Sequence, residues 1–459
     1  MRLLLSSFSA ACNGSYGIVT REIFKRIKEL DPGIEIIQHG WLHNKPLEEV
    51  PWEIVPTENN VEIGPDGRPY PDSYGERTLQ KLLDSFRPHM LWQLGDPWMG
   101  INAAMLKPQY GYRYIYYIPV DSEPYSPVWN ERINMADEVI AMSDYGVDVL
   151  SGNQDLRSVN FSSIPLGVDT TIFHPLDKED IKSKRSEFSE GKLTKNMKVL
   201  GWIGRDQPRK QNWQLYELLH YIRTGEWILC KECGRITVKE YDHVSRLPRD
   251  ITKLRKYECG YKYEHCWYCH SKNIVPGTPR EDVVLWTHMF NQPDTGWDLD
   301  ELLNTYRIRE EVYDPSGHIG DGEISPEDMN WLYNCFDVFV YPTGGEGFGM
   351  PILEAMAAGI PCVYANYSAY TDWAVGESVR VEIFQPEIRT QRCRALIDMG
   401  EMVRKTLLML NDHNRRSIFS KRGMKAASKF SWDEVAQHWM KMIESVHCRD
   451  SAMVYGEVI

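Results

Sequence analysis

Residues 337–363 read DVFVYPTGGEGFGMPILEAMAAGIPCV, and their pattern decides the fold class. Val338, Phe339, Val340 and Tyr341 form a short apolar run suited to a buried strand, and Pro342 stops it. The loop that follows holds Gly344, Gly345, Glu346, Gly347 and Gly349, and Pro351 stands at a first helical position. Ile352, Leu353, Ala355, Met356 and Ala357 give the helix an apolar side, Gly359 and Pro361 end it, and a second buried strand runs to Tyr364. The glycines permit close backbone approach to a ligand, and the helix start offers unpaired N–H groups to an anion. Glu346 in the loop and Glu354 in the helix are eight residues apart, so both can face a ligand held over that start. The plain alternative is a glycine-rich turn followed by an acidic surface residue.

The same unit, strand then loop then helix, recurs on the N-terminal side. MRLLLSSFSA reads as a strand, CNGSYG as a loop, and IVTREIFKRIKEL as a helix with Ile18, Val19, Ile23, Ile27 and Leu30 at helical spacings. Only Gly14 and Gly17 occur in that loop, so the three-glycine dinucleotide fingerprint is absent. YRYIYYIPVDSEPY predicts an aromatic strand ending at Pro119, with Asp121 just beyond it. Proline and charge between 175 and 196 mark a boundary, which puts a first domain at residues 1–178 and a second at 179–429.

The second domain opens with VLGWIG as a strand, RDQPRKQN as a polar loop and LYELLHYI as a helix. Arg205 and Lys210 are five residues apart at that strand end, where two fixed cations can neutralise an anionic ligand group. Arg209 competes for the same role, and a merely solvated basic loop is the bland reading. Residues 40–75 look irregular and residues 391–426 mainly helical. Ser431 and Glu434 make a capping box for a last helix within 430–459.

A chain of 459 residues can build two sizeable cores with a cleft between them. No run of about 20 apolar residues predicts a membrane span, and the start lacks the order of a signal peptide, so a cytoplasmic protein is expected. The net charge of −13 argues against bulk attraction to nucleic acid. Ten cysteines are few for a disulfide scaffold of this length. Four of them form Cys230-x-x-Cys233 and Cys266-x-x-Cys269, the spacing of one tetrahedral structural Zn²⁺ in an insertion at 228–280. Cys259, His265 and His270 are possible substitutes in that ligand set. Four protein ligands leave no open position, so the metal is not a catalytic one. Residues 230–280 carry eleven Lys or Arg against six Asp or Glu, with Tyr257, Tyr261, Tyr263, Trp267 and Tyr268 among them. Such a lobe can grip a glycan or nucleic acid, or simply stabilise the fold or a homo-oligomer contact.

The glutamate, seven residues, glutamate pattern of Glu346 and Glu354 inside EGFGMPILEAMAAGIP resembles the donor-sugar motif of the retaining GT-B glycosyltransferases, above all family 4. The resemblance implies two Rossmann-like domains facing across a cleft, an α/β fold, with a nucleoside diphosphate sugar as donor. It implies that Glu346 meets the sugar hydroxyls, that Glu354 binds the ribose, and that the backbone of Gly347, Phe348, Gly349 and Met350 approaches the sugar and diphosphate. It gives Arg205 and Lys210 the leaving group and sets Gly17 near the diphosphate. It also places Tyr367 or Tyr370 near the base and implies no catalytic divalent ion. Many members carry a histidine beside the reacting sugar where this chain has Asp121, which is then a candidate for orienting or deprotonating an acceptor hydroxyl. The acceptor itself, whether a glycan, a small molecule or a nucleic acid, is left open. Competing readings are a GT-B epimerase or hydrolase, and a zinc-containing nucleic-acid-binding protein on a GT-B core.

Overall fold

The computed structural model describes residues 1–43, 46, 48–57, 61–63, 69–71, 74–156, 159–189, 191–193, 196–238, 265–290, 296–314, 324–387 and 392–455. Two parallel sheets organise the chain. The first is built from β1 (Arg2–Phe8), β2 (Glu35–Trp41), β3 (Glu53–Pro56), β6 (Met90–Leu94), β7 (Arg113–Ile118), β8 (Glu138–Ala141) and β9 (Phe161–Ser163), in the order β3-β2-β1-β6-β7-β8-β9. A small hairpin, β4 (Val61–Ile63) with β5 (Pro69–Pro71), lies outside it. The stretch 40–75 is therefore not wholly irregular. β3 extends the sheet edge in parallel register, Ile37 to Glu53 through Gly40 to Pro56, and Gly40 leaves room for the Ile54 side chain.

The second sheet has the order β15-β14-β10-β16-β17-β18, from β10 (Lys198–Arg205), β14 (Val283–Phe290), β15 (Val312–Tyr313), β16 (Val338–Tyr341), β17 (Cys362–Ala365) and β18 (Gly376–Val379). Its central strands read as continuous apolar runs because helices cover both faces: Val338 to Tyr341 and Cys362 to Ala365 are all buried. Each sheet reverses its winding once, between β1 and β6 in the first and between β10 and β16 in the second. Loops leaving neighbouring strands at such a switch point diverge and open a crevice at the C-terminal edge of the strands.

Inserted between β10 and β14 is a three-stranded antiparallel sheet, β12-β11-β13, made of β11 (Trp227–Cys230), β12 (Ile236–Val238) and β13 (Ile274–Pro276). It seats on the helix Met399–Asn411, where the absent side chain of Gly400 lets the Ile236 carbonyl approach. The described residues of 391–426 are mainly helical, as expected, but a strand comes first. β20 (Cys393–Ile397) pairs with β19 (Val381–Pro386) as an antiparallel hairpin before two helices begin. The partner strand is supplied by residues that precede this stretch, so its own helical spacing did not reveal the pairing.

The last helix, Trp432–Tyr455, begins where Ser431 Oγ accepts from the Glu434 N–H. It packs on the helix Ser15–Leu30 of the first domain. Val435, Ala436, Trp439 and Ile443 form its buried face, and the Trp439 ring lies 5.6 Å from Trp92 and 4.8 Å from Tyr117. Among the described residues no helix is long and apolar enough to cross a membrane.

Candidate active site at the facing sheet edges

Both winding reversals deliver charged side chains into one region. After β10, the turn Pro208–Lys210 carries Arg209 and Lys210, and the loop after β16 carries Glu346. The Gly344 N–H donates to the Arg209 carbonyl, 2.7 Å, and draws the two loops together. Glu346 Oε1 then accepts from Lys210 Nζ at 2.5 Å, Thr343 Oγ1 at 2.9 Å and Tyr341 Oη at 3.0 Å, while Oε2 accepts from Arg209 Nη1 at 3.0 Å. The Glu346 N–H donates to Ser368 Oγ, 2.9 Å. Burial opposes ionisation of Glu346, but Arg209 and Lys210 outweigh it and hold the carboxyl down to about 2. Burial, opposed by Glu346 and aided by Arg209, draws the Lys210 ammonium down to about 8, still protonated at neutral pH. The result is a buried carboxylate between two cations with a tyrosine and a threonine hydroxyl beside it.

Arg205, expected to act with Lys210, is not part of this network. It is the exposed last residue of β10, and its side chain has no ion pair or hydrogen bond among the described residues. The Pro208–Lys210 turn presents Arg209 to Glu346 in its place. Glu354 lies in the helix Met350–Ala357, where Tyr333 Oη donates to its Oε2 at 2.7 Å. Burial pushes that carboxyl up to about 7 against the pull of the Tyr333 hydrogen bond.

The glycines here have a steric purpose. Gly349 caps the helix with φ +98°, and a Cβ on Gly347 would fall 2.7 Å from Pro119 Cβ, so this loop presses against the end of β7. Phe348 turns into the core and stacks on Trp373, ring centroids 4.8 Å apart, and Met350 is the first residue of the helix. Gly17 is buried against its own loop: a Cβ there would lie 2.5 Å from the Ser9 carbonyl oxygen and 2.7 Å from that of Cys12. Close packing of the first helix on the loop after β1 accounts for it.

Asp121 follows β7 and faces the second domain. Arg392 Nη1 meets its Oδ1 and Arg394 Nη1 its Oδ2, each at 3.0 Å, and Ser122 Oγ donates to Oδ1. Burial is outweighed by Arg394, Arg392 and Arg209, and the carboxyl is held far below the usual range. A carboxylate so engaged is a weak base, which weighs against its deprotonating an acceptor hydroxyl. Sequence reasoning did not single out Asp96, just past β6, whose Oδ2 accepts from Tyr16 Oη at 3.4 Å. Burial and then the charge of Asp121 push its carboxyl up to about 6, opposed by Arg209 and Arg392. The signal available was positional: Asp96 lies two residues past β6 and Asp121 three past β7, so both stand on loops leaving the same edge of the first sheet. Of the two tyrosines expected near a base, Tyr370 is fully buried against Tyr341 and Tyr364. Tyr367 Oη instead donates to the Cys393 carbonyl and accepts from the Glu123 N–H.

In the insertion the Sγ atoms of Cys230, Cys233, Cys266 and Cys269 all lie within 4.8 Å of one another. Cys230 to Cys269 and Cys233 to Cys266 each measure 3.6 Å, and all four cysteines are free. Zinc bound at about 2.3 Å to each thiolate of a tetrahedron sets the sulfurs about 3.8 Å apart. The four residues fit a structural metal ion. His265 and His270 stand outside the four-sulfur group, with Trp267 and Tyr268 exposed beside it. Cys259, Tyr257, Tyr261 and Tyr263 lie outside the described residues.

Sucrose-phosphate synthase from Thermosynechococcus elongatus superposes with a TM-score of 0.66 at 14% identity, covering 98% of this chain and 99% of that one. HepE from Anabaena, solved in complex with UDP and glucose, gives 0.63 at 14% identity over 97% and 99%. The fold is GT-B. Within the GT-B frame, the model of the family described as glycosyl transferases group 1 matches residues 313–393, which contain Glu346 and Glu354. The O-antigen chain mannosyltransferase B of Escherichia coli is 35% identical over 203 residues, 42% of this chain and 49% of that protein. The chain thus matches about half the length of that relative.

Proposed function

We propose that this chain is a retaining glycosyltransferase of the family 4 type, moving a hexosyl group from a nucleoside diphosphate sugar to an acceptor hydroxyl. The observation that carries the reading is the pairing of Glu346 with Lys210 and Arg209 at the winding reversal of the second sheet in a GT-B fold. Before a ligand arrives, the carboxylate keeps two cations oriented without a reorganisation cost at the moment of reaction. On donor binding, Lys210 takes the diphosphate, with Arg205, exposed at the strand end, closing on it from the rim. Glu346 meets the sugar hydroxyls, and Glu354 the ribose.

The bond from the anomeric carbon to the diphosphate oxygen breaks with its electron pair going to the diphosphate, where Lys210 offsets the growing charge. The acceptor oxygen bonds to the anomeric carbon on the same face, and its proton passes to the departing phosphate. The backbone of Gly347 to Met350 borders the sugar and diphosphate. Structural zinc in the four-cysteine cluster serves the fold of the insertion and takes no part in these steps. The partial match to an O-antigen mannosyltransferase favours a glycan acceptor.

The test is product analysis on UDP- and GDP-sugars with and without glycan acceptors. Nucleoside diphosphate release with a new glycosidic bond of unchanged anomeric configuration is expected. An inverted product rejects the same-face mechanism, and an epimerised or merely hydrolysed donor in the presence of acceptor assigns the pocket to another reaction.

A further inference from the structure

The β19–β20 hairpin is one of the places at which the second domain grips the first. At its turn end Arg392 and Arg394 each take one oxygen of Asp121, and the three side chains are 5%, 8% and 16% exposed. Backbone contacts reinforce the junction: the Cys393 N–H donates to the Glu123 carbonyl at 3.0 Å, and Tyr367 Oη bridges the Glu123 N–H and the Cys393 carbonyl.

The same hairpin also holds the loop that carries Glu346. The Ala395 N–H donates to the Gly344 carbonyl at 3.1 Å, and Arg209 Nη1 donates to the Gly345 carbonyl at 3.0 Å. Gly345 sits at φ +149°, and a Cβ there would lie 2.0 Å from the Asp121 carbonyl oxygen and 3.4 Å from Arg394 Nη1. The Gly344–Gly345 turn is thus confined by β20, by Arg209 and by the first domain, and the next residue is Glu346. Buried charge pairs contribute little net stability, yet removing one partner is costly, which suits them to specifying one arrangement.

We propose that Arg392 and Arg394 are positioning residues of the transfer reaction: through Asp121 they lock the hairpin onto the first domain and fix the Gly345 turn that presents Glu346. The link to turnover rests on the transferase reading above. The lock itself does not.

The experiment compares Arg394→Ala, Arg394→Lys, Asp121→Asn and the Asp121→Asn/Arg394→Ala double variant with the wild-type protein. It reads the radius of gyration by small-angle scattering, UDP and GDP affinity by calorimetry, and nucleoside diphosphate release from UDP-glucose and GDP-mannose. The expected result is a larger radius for Arg394→Ala and Asp121→Asn. Turnover should fall about tenfold or more, since small misplacements at a reacting centre cost orders of magnitude, with nucleotide affinity changed less than about twofold. The double variant should be no worse than either single one, because both changes open the same lock, and Arg394→Lys should recover part of the loss. Asp121→Asn keeps the shape of the side chain, so it reports on the lock even if the alanine variant folds poorly. An unchanged radius in both single variants overturns the proposal whatever the turnover. Multiplying losses in the double variant also overturn it, since Asp121 would then act on substrate independently. If wild-type protein releases nucleotide from neither sugar although it binds UDP or GDP, the transferase reading fails on these donors, and scattering alone decides the lock.

Discussion

Glu346 is set among groups that would be costly to bury without it, and this makes its substitution informative. Glu346→Gln keeps the volume but removes the charge between Lys210 and Arg209, and breaking a buried pair of this kind costs about 3–5 kcal/mol. Turnover should fall by about 10²- to 10³-fold, the usual loss for a preorganised charged contact, with nucleoside diphosphate affinity nearly unchanged. Steady-state kinetics beside calorimetry checks this, and an equal loss in both quantities argues against a role on the sugar. Glu354 gives a pH signature. Its folded-state value near 7 lies above the ordinary 4.5, so the native chain holds a proton there that the unfolded chain has lost. The stability this proton supplies is complete below about 4.5 and disappears as pH rises through about 7. Unfolding curves at pH 5 and pH 8 should therefore differ less for Glu354→Gln than for wild type. Glu346 has the opposite sign, its contribution being present above 4.5 and lost as pH falls towards 2.

The insertion is held by a local cluster of cysteines, the hairpin by partners far away in the chain. The three short strands of the insertion enclose little apolar surface, so a metal at the four cysteines is expected to supply much of its folding energy. Purified protein should carry one zinc per chain, and Cys266→Ser should release it and lower the first thermal transition. Metal analysis with calorimetric scans measures both, and an unaltered transition in a metal-free sample would contradict the assignment. The cluster was legible because its spacing is local and its chemistry names its own partners. So were the strand, glycine loop and helix around Glu346, where apolar runs and breakers alternate over fewer than thirty residues. The hairpin was not. Arg392 and Arg394 find Asp121 across about 270 positions, and no periodicity records such a meeting. For the same reason Arg205 was preferred to Arg209, although it is Arg209 that the Pro208–Lys210 turn sets against the glutamate.

At the scale of the whole molecule, two winding reversals face each other, and the chain returns at its end to tie them. Trp439 on that last helix is fully buried against Trp92 and Tyr117 of the first domain. Trp439→Ala should cost about 3–5 kcal/mol, read from chemical denaturation, because the large cavity it leaves is walled by the first sheet. A crystal structure of the protein with a UDP- or GDP-sugar that it binds tests this arrangement most directly. The diphosphate is expected within hydrogen-bond distance of Lys210 Nζ, the sugar hydroxyls on the Glu346 carboxylate and the ribose at Glu354. A nucleotide bound elsewhere, with Glu346 still closed on Lys210 and Arg209, would contradict it.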